Sequence, residues 1–132
     1  MINIRETEFR EESLALAIEA YRVAYLLPSN EYQSLRLEIV DAAFSVSSSI
    51  AKAFIALQND QFEDELAIAL KGIKLISKRL KRIEKTSLLE AKEIKGLQQS
   101  LWQEQQELEK LLAASQLVNT AILNPKLERA CI

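Results

Sequence analysis

The chain has 132 residues, 48% of them hydrophobic, with two glycines, two prolines, no histidine and a formal net charge of −2. That length fits one domain around one core, spanning residues 1–132, and so few turn-forming residues imply a small number of long elements. The absence of histidine removes both the commonest general base at neutral pH and the commonest metal ligand, so the chain is expected to be non-enzymatic, with no cofactor and no metal site.

No apolar run approaches the length of a membrane span, and the opening residues MINIRETEFREE carry acid where a secretion signal would carry base. A cytoplasmic location without a membrane partner is the expectation. The single cysteine, Cys131, cannot make an intrachain disulfide or a thiolate metal site.

The first helix is predicted over 10–27, where Leu14, Ala17, Ile18, Tyr21 and Tyr25 recur at spacings of three and four and read as the buried stripe. Pro28 stops it. Ser29 or Asn30 then offers a cap, with Glu31 in the first turn of a second helix over 30–57. Its stripe is Leu35, Ile39, Ala42 or Ala43, Val46, Ile50, Ala53 or Phe54, and Leu57. A third helix over 60–85, capped by Asn59 or Asp60, buries Phe62, Leu66, Ala69 or Leu70, Ile73, Ile76, Leu80 and Ile83. Gly72 interrupts this pattern at a cost of about 1 kcal/mol relative to alanine, explained either by a close helix contact or by tolerance. Ser87 and Glu90 have the spacing of a capping box for a fourth helix over 87–123. Its series is Ile94, Leu97, Leu101, Leu108, Leu111 or Leu112, Ser115 and Val118, ending at Asn124 and Pro125. Glu104 and Gln105 break that series and read as a water-exposed or partner-facing step. Short connections make sequential helices antiparallel, so the expected fold is all-α, an up-down-up-down four-helix bundle.

The stretch AFSVSSSIAKAF at 43–54 places Ser45, Ser47, Ser48 and Ser49 within five positions of the second helix. Small residues let helix backbones approach, and Ala42, Ser45, Val46, Ser49 and Ile50 are the candidates for close packing. A catalytic serine would need a base, and Lys52 is the one basic residue at hand, so packing is the preferred reading. The carboxylate pairs Glu8 with Glu12 and Glu104 with Glu107 lack the histidines of carboxylate-bridged metal bundles and read as surface solvation.

Charge is divided unevenly. Residues 1–70 have a net charge of −7, residues 71–95 one of +6, and the remainder −1. Lys74, Lys78, Arg79, Lys81, Arg82 and Lys85 are therefore the candidate partner-binding residues, facing a phosphate backbone, an acidic protein or another subunit. A solvated helix face is the competing reading, and no interleaved aromatic offers a base-stacking platform.

The stretch PSNEYQSLRLEIVDAAFSVSSSIAKAF at 28–54, followed by QFEDELAIAL at 61–70, resembles the family of small four-helix bundle proteins first named from intervening sequences of bacterial 23S ribosomal RNA genes. A related branch is the accessory variability protein of diversity-generating retroelements. Pro28, Glu31, Leu35, Ala42, Ala43, Ser45, Val46, Ile50, Ala51, Phe62, Leu66 and Ala69 carry the resemblance, whereas Glu38, Ser49, Lys52 and Ala53 depart from the family's Gln, Asn, Glu and Gly. The resemblance implies a homopentamer that binds a reverse transcriptase and its structured template RNA. The alternative is a homo-oligomeric protein-interaction scaffold that binds no nucleic acid.

Overall fold

The computed structural model describes residues 4–28, 30–55 and 61–123. They form four helices, α1 (Ile4–Ala24), α2 (Gln33–Ile55), α3 (Gln61–Lys85) and α4 (Ala91–Leu123), and no strand among the described residues. Each helix packs on its neighbours in the chain and α1 closes on α4, while α1 and α3, like α2 and α4, lie across the diagonal. This is the expected all-α, up-down-up-down bundle. The proposed caps Ser29, Asn59 and Asp60, the stripe residue Leu57, the stop at Asn124 and Pro125, and Cys131 fall outside the described residues.

The core is built from stripes with alternating steps of four and three. On α3 the stripe is Phe62, Leu66, Ala69, Ile73, Ile76, Leu80 and Ile83, all buried, as its periodicity predicts. On α1 the buried stripe is Phe9, Ser13, Leu16, Ala20 and Val23, continued by Leu27 in the turn that follows, with Ala17 and Ala24 beside it. This corrects the sequence reading. Leu14, Ile18, Tyr21 and Tyr25 are 46–63% exposed, because α1 carries two apolar stripes roughly 150° apart at 100° per residue, and only one can face the core.

Close packing of α2 on α3 has a specific cause. A Cβ on Gly72 would stand 2.7 Å from Val46 Cγ2 and 3.2 Å from the Ala42 carbonyl oxygen, so the glycine admits the α2 backbone. Ala42, Val46, Ser49 and Ile50 are buried here; Ser45 is exposed, one residue and about 100° away from Val46, and takes no part in the contact. At one end of the bundle Phe54 lies 5.8 Å from Phe9 and 6.1 Å from Phe62, centroid to centroid, which joins α1, α2 and α3.

The two described turns also differ from the sequence reading. α2 begins at Gln33, with the Arg36 amide bonded to the Tyr32 carbonyl, so Asn30 and Glu31 belong to the preceding turn. Arg36 is buried and donates from Nε to the Ala24 carbonyl (3.2 Å) and from a terminal nitrogen to the Leu27 carbonyl (2.7 Å), capping the end of α1 from within α2. Ser87 terminates α3 and does not open α4. Its φ is 56°, its amide bonds to the Glu84 carbonyl, and the Leu88 amide bonds to the Ile83 carbonyl, the hydrogen-bond pair of a Schellman C-cap. α4 then starts after Glu90, whose carbonyl accepts from the Glu93 amide.

Candidate functional surfaces

Three surfaces carry chemistry. The first is a basic stripe on α3. Lys71, Lys74, Lys78, Lys81 and Lys85 recur at steps of three and four and are exposed, with Arg82 beside them. They span about 21 Å at 1.5 Å per residue. Arg79 departs from this group. It is half-buried on the side facing α2, where its Nε lies 2.6 Å from Glu38 Oε2, so most of its charge is committed within the bundle.

The second surface is apolar. Leu14, Ile18 and Tyr21 on α1 and Tyr25 just after it form a continuous outer stripe, with the Tyr21 and Tyr25 rings stacked at 4.5 Å. Leu14 borders a groove whose α2 wall is Ser47 and Ala51, and Phe44 on the same helix is 61% exposed. The small residues of the serine-rich segment thus do two jobs: Ser49 faces the core, and Ser47 leaves an open channel beside Leu14. Trp102 on α4 is also exposed. Phe44 and Trp102 thus remain outside the core, whereas Phe54 enters the aromatic cluster.

The third surface was missed by sequence reasoning. A groove of about 450 Å³ runs between α1 and α4, lined by Glu12, Glu104 and Glu107 with Ser100 and Gln103. Glu104 is only 3% exposed, which overturns its assignment to a water-exposed step. The signal was in the spacing. Leu97, Leu101, Glu104 and Leu108 follow steps of four, three and four, so Glu104 occupies a core position of the α4 heptad, and all four residues are buried. One carboxylate oxygen from each of Glu12, Glu104 and Glu107 lies within 4.8 Å of the others. Glu104 Oε1 is buried and accepts no hydrogen bond. Desolvation, with the neighbouring Glu12 carboxylate next, pushes the Glu104 carboxyl up to about 8; burial and the Glu107 carboxyl raise Glu12 as well.

The sequence matches, over residues 7–126, the model of a family described as DEAD/H associated. The chain belongs to the DEAD/H-associated family. No curated protein and no solved structure matches it. Among the described residues, no helix is long and apolar enough to cross a membrane.

Proposed function

We propose that this DEAD/H-associated protein is a non-enzymatic, self-associating helical scaffold that works through protein contacts. The observation that carries this reading is the outer stripe Leu14, Ile18, Tyr21 and Tyr25, whose steps of four, three and four are those of a helix-packing seam and whose side chains stay 46–63% exposed among the described residues. The family description, DEAD/H associated, is in keeping with a role in protein contacts. The resemblance in the middle of the chain makes a closed pentamer the expected assembly. Light scattering at micromolar concentration tests this: the wild type should have a multimeric mass and the double variant Ile18→Glu, Tyr25→Glu a monomeric one with unchanged helix content. A monomeric wild type would end this reading.

The basic stripe of α3 favours a second reading, an accessory subunit that holds a reverse transcriptase or its structured RNA. Charges in the last turn of a helix gain from its dipole, but Lys71, Lys74 and Lys78 lie more than one turn before the end of α3 at Lys85 and need another reason. If RNA is bound, log affinity should fall linearly with log salt, and Lys78→Glu, Lys81→Glu, Arg82→Glu should weaken binding to unrelated RNA sequences by a similar factor. Affinity that ignores both salt and charge reversal would exclude it.

A further inference from the structure

We propose that the groove between α1 and α4 is a binding site for a hard divalent cation, Ca²⁺ by preference, with Glu12, Glu104 and Glu107 as its protein ligands.

The donor set is all oxygen, which suits Ca²⁺, Mg²⁺ or Mn²⁺ and disfavours softer metals. The geometry is compatible. Oxygens on opposite sides of Ca²⁺ are separated by about 5 Å and those around Mg²⁺ by about 4 Å, and the three carboxylates offer oxygens mutually within 4.8 Å. Two independent elements supply them, Glu12 from α1 and the pair Glu104 and Glu107 from adjacent turns of one face of α4. Ser100 and Gln103 line the same groove and add neutral oxygens, and its volume of about 450 Å³ leaves room for water to complete the coordination shell.

An acidic cluster alone would be unremarkable on a surface. What distinguishes this one is Glu104, which lies 3% exposed at a core position with Oε1 buried and unpartnered, while the charged groups acting on it are the carboxylates of Glu12 and Glu107. Burying a carboxylate oxygen in this way is costly unless something positive or donating meets it. No basic side chain lines the groove among the described residues; its charged walls are Glu12, Glu19, Glu104 and Glu107. A cation in the groove would satisfy Oε1 and offset the repulsion among the three acids in one step.

The test is calorimetric titration of the chelator-treated full chain with CaCl2, MnCl2 and MgCl2, comparing the wild type with Glu12→Gln, Glu104→Gln and the control Glu109→Gln. Glu109 is an exposed acid on the same helix, so its variant has the same charge change outside the groove. The expected result is saturable binding of one Ca²⁺ per chain at sub-millimolar concentration, at least about tenfold weaker in Glu12→Gln and Glu104→Gln and changed less than about twofold in Glu109→Gln. Glu12 is exposed, so its variant reads ligation without disturbing the core, and a circular-dichroism spectrum of Glu104→Gln checks its fold. Two results would overturn the proposal: no saturable binding of any of the three ions up to about 10 mM, well beyond the weakest protein calcium sites, or equal binding by all four proteins, which would mean general screening of an acidic surface.

Discussion

Arg36 and Glu104, both buried, and Ser87, with its left-handed backbone, each set a local feature of the fold. Arg36 supplies charged donors to two carbonyls at the end of α1. Removing them in Arg36→Met should cost about 2 to 3 kcal/mol in urea denaturation, since hydrogen bonds from charged groups are the stronger kind and the carbonyls are left without them. Ser87 holds a left-handed φ of 56° that glycine adopts without steric cost, so Ser87→Gly should stabilise the protein by about 1 kcal/mol. Glu104 predicts a pH dependence of definite sign. Its folded carboxyl titrates near 8 against an ordinary value of 4.5, so the folded state binds the proton more tightly than the unfolded chain. In chelated buffer this contribution is fully present below about pH 4.5 and is lost as pH rises towards 8. Thermal melts from pH 5 to 8 should therefore decline for the wild type and flatten in Glu104→Gln.

At the scale of the helices, the two glycines make opposite predictions from one shared propensity. Alanine is favoured over glycine in a helix by about 1 kcal/mol, and both Gly72 and Gly96 lie within helices. A Cβ at Gly96 meets nothing within 4 Å, so Gly96→Ala should be stabilising by about that amount. A Cβ at Gly72 meets Val46 at 2.7 Å and the Ala42 carbonyl at 3.2 Å, so Gly72→Ala should separate α2 from α3 and lower stability by about 1 to 3 kcal/mol. Thermal denaturation of the two variants side by side checks both signs. The same scale explains α1. Its second apolar stripe stays outside the core and borders α2 at Leu14, so the helix is apolar in two directions, with the acids Glu12 and Glu19 on the flank that borders the α4 groove.

For the whole molecule, the diagonal placement of α1 and α3 has a functional consequence. The apolar stripe of α1 and the lysine stripe of α3 each point away from a common core, and they therefore lie on opposite sides of the bundle. A scaffold that self-associates through the first would keep the second open to a polyanion or an acidic protein. The two surfaces should separate genetically. Ile18→Glu with Tyr25→Glu should abolish assembly, measured by scattering mass, while each monomer keeps its attraction for an anionic partner; Lys78→Glu, Lys81→Glu, Arg82→Glu should do the reverse. Loss of both properties in either variant would show that the surfaces are coupled.

The sequence by itself determined the helices and the class of fold, because apolar steps of three and four, interrupted by few residues that break helices, permit little else. It also determined the core face of α3, where a single apolar stripe opposes a charged one. Only tertiary structure decided the core face of α1, since Phe9, Ser13, Leu16, Ala20 and Val23 compete with Leu14, Ile18, Tyr21 and Tyr25, and periodicity cannot rank two stripes of similar apolarity. It alone showed that Ser87 belongs to the end of α3, because a C-cap is defined by backbone hydrogen bonds and the sign of φ, while the spacing to Glu90 suits either role. The acidic groove needed it most. Glu12 and Glu104 are 92 positions apart in sequence, and only the closure of α1 on α4 brings their oxygens into one site, since attraction between carboxylates plays no part in that approach and the burial of the flanking leucines drives it.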